Sequence, residues 1–272
     1  MTELVVRRLL VDMEEPIERH WCAGDAFRSA FFDALSMSFP VGEQFFIDSV
    51  RGGFKALPPD RQAQFKAEVQ GFMGQEATHR RLHGLYNAHL EKRGLVNAWE
   101  ARSRQRLVRM DGVDFKHWLG ITAANEHFTA IFADWLLDHA NVLGERDTRL
   151  KTLWLWHSAE ESEYKCTAFD IYKALGGNER WRLTWFRRIT VTFLLDIFRQ
   201  TVNNLYRDGT LFRWRTWKSA AIFLFGREGL IRKTVAPWRE YLHADFHPSQ
   251  QDSTASQHWL VANDHQFRAV GA

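Results

Sequence analysis

Four segments with helical periodicity each carry a carboxylate in an apolar context, and this feature most limits the folds open to the 272-residue chain. Glu43 lies in FPVGEQFF, Glu76 in GFMGQEATH and Glu126 in ITAANEHFTAIF. Glu160 and Glu161 lie together in WLWHSAEESEYKC. A buried carboxylate is costly unless it is paired or bound to a metal ion. Four such segments therefore predict helices that pack together and point their acids toward one another.

The spacing of apolar residues predicts helices rather than strands, and hence an all-α fold class. In the first segment, apolar residues recur at separations of three and four. Pro40 is expected to kink that helix because proline lacks an amide hydrogen. A longer irregular stretch with a short helix is expected over residues 93–114. The four long helices are predicted over residues 26–51, from the turn at 57–62 to about Lys92, over 113–143, and over 150–175.

The sequence distances between the acids indicate how the helices connect. Glu43 and Glu76 are 33 residues apart, and Glu126 and Glu161 are 35 apart, which suits two antiparallel pairs with short loops. The 50 residues between Glu76 and Glu126 leave room for a long crossover. This order predicts a ferritin-like four-helix bundle over residues 1–177.

Glu76 and His79 lie three residues apart, on one face of the second helix. A solvent-exposed face accounts for such a pair, and so does a metal site. In ferritin-like carboxylate proteins two helices supply one Glu each, and the other two supply Glu-x-x-His. Glu76 and His79 fit one such motif, but Tyr164 stands where a second motif, beginning at Glu161, requires His. The contribution of all four helices favours the metal site.

A family resemblance is carried by five runs: ALSMSFPVGEQFFIDSVR, GFMGQEATHRRLH, AANEHFTA, WHSAEESEYKCTAFDIY and YLHADFHP. Together they resemble the bacterial proteins known as predicted metal-dependent hydrolases, a ferritin-like group, over roughly residues 5–250. The resemblance implies a carboxylate and histidine metal site and hydrolytic activity. The fourth-helix motif of this family reads EExEHK, whereas this chain has EESEYK, so the departure falls on an expected ligand, at Tyr164.

Because Tyr164 replaces the expected histidine, several sets of metal ligands stay open. His157, four residues before Glu161, can supply the missing nitrogen, and His83, one turn beyond His79, is a second reserve. Tyr164 and His157 are also the catalytic candidates, and a mononuclear or lost site stays open. Carboxylates with one or two imidazoles suit Fe or Mn, with Zn as a further option, as one or two ions. The predicted metal ligands are Glu43, Glu76, His79, Glu126 and Glu161, with His157 and Glu160 as further candidates.

Three functions are considered for this chain. The resemblance implies a metal-dependent hydrolase acting on a small molecule, with metal-activated water as the nucleophile. The ligands themselves suit a di-iron oxidase or oxygenase equally well, acting on an apolar substrate. The third function is a non-catalytic helical protein that binds a membrane or a partner and retains the acids as relics.

Residues 178–272 differ in character from the first part and are predicted to form a helical C-terminal extension that packs on the bundle. Between residues 180 and 239 there are thirteen Lys or Arg and three Asp or Glu, interleaved with Trp, Phe and Leu. This pattern suits helices packed on the bundle, a peripheral membrane contact through residues 180–240, or the wall of a channel for a long apolar substrate. Nucleic acid is not an expected partner, because the positive charge is local and no known binding module is present.

Bulk composition indicates a soluble cytoplasmic protein. The net charge is +3, and Cys22 and Cys166 provide neither a disulfide framework nor a CxxC metal pair. No run of 18 apolar residues predicts a transmembrane helix, and the acidic N-terminal segment does not resemble a secretory signal. Oligomeric state is not predictable from these features.

Overall fold

The computed structural model describes residues 4–270, and these residues confirm the all-helical prediction. Two three-residue strands, β1 (Arg7–Leu9) and β2 (Phe267–Ala269), are added to the helices. Short 3-10 turns occupy Val108–Met110, Ala140–Leu143, Pro248–Gln250 and Asp264–Gln266. The α-helices are α1 (Ala26–Ala56), α2 (Pro59–Lys92), α3 (Ala98–Leu107), α4 (Phe115–Asp138), α5 (Thr148–Tyr164), α6 (Thr167–Ala174), α7 (Glu179–Arg207), α8 (Trp214–Phe225), α9 (Leu230–Glu240) and α10 (Thr254–Ala262).

Helix α1 continues through Pro40 rather than being interrupted there, and it ends five residues later than predicted. The side chain of Asp25 caps its first turn by accepting from the backbone N–H of Arg28. Because Pro40 has no N–H, the carbonyl of Ser36 loses its partner in the helix. The Asn87 side chain on α2 takes that place, donating from Nδ2 to the Ser36 carbonyl at 3.0 Å. The proline thus ties α1 to α2 at this level; the kink itself stays a prediction.

The second long helix lies where it was predicted, and the third ends at Asp138, five residues before the predicted 143. The fourth does not run unbroken. Helix α2 begins at Pro59, where proline costs no helical bond, and ends before Gly94, whose φ is +84°. The segment predicted as one helix over residues 150–175 divides into α5 and α6 at a turn over residues 165–166. There the Lys165 ammonium donates to the Gln251 carbonyl and the Ser253 hydroxyl, 2.8 Å from each. The prediction of a single helix was therefore wrong at this point.

Helices α1 and α2 pack along each other, α4 packs on α5 and α6, and α7 lies across both α1 and α4. Apolar side chains from both ends of the chain share the same core clusters. The β1 and β2 strands pair antiparallel, with Arg7 opposite Ala269. This pairing holds Arg7 next to the acid-bearing helices. The division of the chain at residue 177 stays a prediction.

No helix within residues 4–270 is both long enough and apolar enough to cross a membrane.

Candidate metal centre

The four helices that carry the acids bring them together in the interior. Glu43, Glu76, Glu126 and Glu161 are each at most 5 % exposed. Within the described residues, neither carboxylate oxygen of the first three has a hydrogen-bond partner, and Oε2 of Glu161 has none either. Seven buried carboxylate oxygens without partners are a large electrostatic cost for a folded protein. Only protons or a bound cation can offset it.

The side-chain pKa values show the same conflict. Burial raises the pKa of Glu43 well above its ordinary value, and the neighbouring Glu161 raises it further. Burial raises the pKa of Glu76 in the same way, followed by the charges of Glu126 and Glu161. The pKa of Glu126 is also raised, by burial and then by Glu161 and Glu43. The acids are close enough to oppose one another's ionisation, as expected for ligands that share a cation.

Two imidazoles complete the cluster. Ligand atoms of Glu43, His79 and His157 all lie within 4.8 Å of one another. Glu161 Oε1 lies 2.7 Å from His157 Nε2 and 3.9 Å from His79 Nδ1. Burial, followed by the charges of His157 and His83, lowers the pKa of His79 well below its ordinary value. A neutral imidazole is the form that binds a metal ion.

His79 is oriented by an acid and an arginine on its outer side. Its Nε2 lies 2.8 Å from Glu160 Oε2, so the proton sits on Nε2 and the lone pair of Nδ1 faces the cluster. Arg7 from β1 donates to Glu160 Oε1 at 3.0 Å. Arg7 also holds Glu163, at 2.6 Å and 3.0 Å, and Gln75 donates to Glu163 at 2.8 Å. Both oxygens of Glu160 are therefore occupied outside the cluster, which is an arrangement of a supporting residue and not of a metal ligand.

His157 is oriented by a chain of hydrogen bonds that begins at a backbone carbonyl. Since the Ser36 carbonyl can only accept, the Asn87 amide nitrogen faces it and Asn87 Oδ1 accepts from the Ser36 hydroxyl at 2.8 Å. The Ser36 oxygen, having donated its proton, accepts from His83 Nδ1 at 2.9 Å. His83 Nε2 then accepts from His157 Nδ1 at 2.8 Å.

This chain leaves a lone pair on His157 Nε2, which faces Glu161 Oε1 at 2.7 Å and Glu43 Oε1 at 3.8 Å. Two lone pairs 2.7 Å apart repel unless a proton or a metal ion lies between them. His157 Nε2 is therefore oriented so that it can bind a cation shared with Glu161 and Glu43. His83, named as a reserve ligand, holds His157 in place instead.

Tyr164 occupies the corner where the motif requires histidine. Its hydroxyl lies 2.9 Å from Glu161 Oε1 and 3.2 Å from His79 Nδ1. Burial and the nearby charges, with Glu161 first among them, raise its pKa well above the ordinary value for tyrosine. The side chain is thus a phenol that donates to Glu161.

The arrangement fits a metal ion on its own chemistry. Orphaned carboxylate oxygens and two imidazole lone pairs, on helices α1, α2, α4 and α5, converge in one buried volume. The model of a family described as predicted metal-dependent hydrolase matches residues 5–252. The chain belongs to this family. No curated protein and no solved structure matches the chain significantly.

Several residues of this centre do not follow from the sequence motifs. Arg7 precedes every predicted helix, Asn87 lies outside the runs that carry the resemblance, and Ser36 lies within one of them without being a candidate ligand. Glu163 lies off the ligand face, as its register in the helix indicates, and pairs with Arg7 instead. The only signal in the sequence is the group of polar residues at helical spacing beside Pro40. That spacing does not indicate which residues of other helices they contact.

Two other histidines, His127 and His247, contact or belong to the C-terminal segment and lie outside the acid cluster. His127 is buried, has no hydrogen bond to an acid within the described residues, and lies 3.1 Å from the Pro237 carbonyl. His247 caps the turn at Pro248–Gln250 and pairs with Asp170 at 2.7 Å. The contacts of His247, in the DFHP run, are therefore those of a capping residue.

We predict that Arg7→Met lowers the free energy of unfolding by about 3 kcal/mol, because it leaves the fully buried Glu160 without a cation. Urea unfolding measures this. Arg8→Met, a neighbouring exposed arginine on the same strand, is the matched control and is expected to be neutral. Adding Glu160→Gln to Arg7→Met is expected to restore part of the loss; equal stability of Arg7→Met and wild type would contradict the assignment.

An apolar cavity of about 1750 Å³ lies beside the centre. Its lining includes Phe39, Gly42, Asn125 and Thr129, which are neighbours in sequence of Glu43 and Glu126. Helices α7, α8 and α9 form its outer wall. The C-terminal residues therefore pack on the acid-bearing helices and also line a space between them.

Proposed function

We propose that the chain is a metalloenzyme with a ferritin-like carboxylate and histidine centre, and that it hydrolyses a small molecule. The observation that carries this proposal is the convergence of seven orphaned carboxylate oxygens with the free lone pairs of two oriented imidazoles. The family match supports the metal dependence and the reaction class. The proposed ligands are Glu43, Glu76, His79, Glu126, Glu161 and His157, in a dinuclear centre of Fe or Mn, or of Zn.

When bound, such ions supply Lewis-acid activation of water or of a substrate carbonyl or phosphoryl group, and iron adds redox chemistry. The protein residues hold and orient the reacting groups. His79 and His157 keep their lone pairs inward through Glu160 and His83. Tyr164 holds a proton at its hydroxyl, 2.9 Å from Glu161, and is the candidate proton donor. The aromatic lining of the cavity excludes water from the substrate side.

An oxygen-dependent oxidase or oxygenase is the second candidate. The carboxylate-rich donor set and the apolar cavity next to it favour this chemistry, which acts on unactivated apolar molecules. Loading metal-free protein with Mn or Zn and screening esters, amides and phosphoesters under argon tests hydrolysis. Oxygen uptake by the Fe(II)-loaded protein, without anaerobic hydrolysis of any of these substrates, would replace the first proposal with the second.

The metal content of untagged protein from supplemented medium tests the centre directly. We predict about two ions per chain by plasma mass spectrometry, because six ligand residues, two of them histidines, suffice for two ions. About one ion per chain would indicate that Tyr164 leaves one position incomplete, and Tyr164→His would then be expected to raise the count. Metal at background, with no change in Tyr164→His, would favour the non-catalytic helical protein.

A cytoplasmic location and a peripheral contact with a membrane through residues 180–240 are also part of the proposal. An exposed apolar stripe on α7 supports the membrane contact: Val191, Leu194, Leu195 and Phe198 are each at least 46 % exposed. We predict co-sedimentation with anionic vesicles at low salt, and its loss in Leu194→Glu/Phe198→Glu. No sedimentation of the wild type would exclude this contact.

A further inference from the structure

We infer that the cavity beside the metal centre binds a long-chain amphiphile with an anionic headgroup, and that this is the substrate class. The assignment as substrate rests on the proposed function. The assignment as ligand rests on the cavity alone, so the two can fail separately.

The size and lining of the cavity call for a long apolar ligand. Its volume of about 1750 Å³ exceeds the roughly 300–1000 Å³ of ordinary small-molecule pockets. Aromatic and aliphatic side chains from α1, α4, α7, α8 and α9 form most of its wall. A space of this kind gains little from a polar metabolite, whereas each buried methylene of an alkyl chain contributes favourably.

The inner wall of the cavity is also the outer wall of the metal centre. The ring of Phe39 lies 4.5 Å from that of His83 and 4.6 Å from that of His157, between centroids. Gly42 directly precedes Glu43, and Asn125 directly precedes Glu126. An alkyl chain in the cavity thus lies against Phe39, whose ring packs on His83 and His157.

The charges that line the cavity are unbalanced in favour of arginine. Arg106 pairs with Asp196, the only carboxylate among the described residues that line the cavity. Within the described residues, the other three lining arginines, Arg109, Arg187 and Arg188, have no carboxylate within the 4.0 Å of an ion pair. These three guanidinium groups are exposed, and that of Arg188 lies over the Trp185 ring at 5.2 Å. Guanidinium groups without an acidic partner beside an apolar space complement a carboxylate or phosphate headgroup.

The entrance lies on the protein surface. Val191, Phe198 and Phe225 line the cavity and are 58 %, 59 % and 62 % exposed. A chain can therefore enter with its headgroup remaining at the arginines. The same exposed rim would also suit a second copy of this chain, and the experiment separates these occupants.

Calorimetric titration of the full chain with saturated fatty acids of 8 to 14 carbons tests the inference, in metal-free and metal-loaded protein. Affinity is expected to rise about fourfold for each methylene. Methyl esters of matched length are expected to bind at least tenfold more weakly, because they carry no charge. Fatty acid presented in neutral vesicles, compared with free monomer, shows whether the ligand is taken from water or from a bilayer.

Two sets of variants locate the ligand. Arg109→Gln/Arg187→Gln/Arg188→Gln is expected to remove the preference for acid over ester. Arg199→Gln/Arg213→Gln/Arg215→Gln, exposed arginines outside the lining, is expected to keep it. Ala221→Trp, at an exposed position that lines the cavity, is expected to lower the affinity for the longest fatty acid at least fivefold. Ala88→Trp, at an exposed position on α2 outside the lining, is expected to leave that affinity unchanged.

The outcomes separate the two proposals. Chain-length-dependent binding to a protein that takes up no metal even from supplemented medium would support the ligand and end the enzyme proposal. If the protein binds metal but its affinity for fatty acids does not depend on chain length, the ligand assignment is overturned. The same holds if both arginine variants lose the preference for acid over ester equally. A dimer in light scattering that Ala221→Trp converts to monomer would also overturn the ligand assignment, by assigning the rim to a second copy.

Discussion

Glu126→Gln is expected to reduce the metal content per chain at least tenfold, because it removes the charge of a buried ligand and leaves the others incomplete. The effect of this substitution on the free energy of unfolding is expected to have opposite signs with and without bound metal. Without metal, the variant should be at least as stable as the wild type, since it removes one of four mutually repelling acids. With metal at about 100 times its Kd, the wild type gains about 2.7 kcal/mol that the variant does not.

Plasma mass spectrometry and thermal unfolding, each with and without added Mn or Zn, measure both effects. Glu91→Gln, at an exposed position of α2, is the control and should match the wild type throughout. If Glu126→Gln retains its metal, Glu126 is not a ligand. If it stabilises the protein equally with and without metal, the acids are relics, and the non-catalytic function gains support.

His83→Phe is expected to lower metal affinity about 10–100-fold without replacing any ligand. The substitution removes the acceptor of the His157 Nδ1 proton, so His157 no longer keeps its lone pair toward Glu43 and Glu161. His83→Gln can still accept that proton through its amide oxygen and is expected to lose less. Competition with a chelator of known affinity measures the change in each variant.

His89→Phe is the matched control, because His89 is another buried histidine on α2 whose partner, the Met13 carbonyl, lies outside the centre. It is expected to change stability but leave metal affinity within twofold. Equal affinities in His83→Phe, His83→Gln and the wild type would show that His157 needs no orientation from His83. Equal losses in His83→Phe and His89→Phe would show that the effect comes only from packing.

The acid-bearing helices and the corner at Tyr164 were predictable from the sequence because both rest on local rules. An α-helix repeats every 3.6 residues, so apolar spacing predicts α2 and α4 closely. The same rule places Glu76 and His79 on one face. Glu160 and Glu161 illustrate its limit: register prefers Glu161, but only the position of Arg7 accounts for the direction of Glu160.

The division of the fourth helix at residues 165–166 was not predictable, because the groups that bind Lys165 lie more than 80 residues later in the chain. The role of α7 was open for a similar reason. Its aromatic and basic pattern suits packing, membrane contact or a channel wall, and these differ only in what lies opposite. The structure places α1, α4, α8 and α9 opposite it, around the cavity.

The sequence by itself therefore determined the helical class, the acids that face inward, the Glu-x-x-His pair and the family. Only the tertiary structure decided which nitrogen of each histidine faces the acids, which residues hold them there, and where the cavity lies. The physical reason is that helical register depends on neighbours within a few residues. Hydrogen-bond partners and cavities depend on contacts between segments whose separation along the chain carries no local signal.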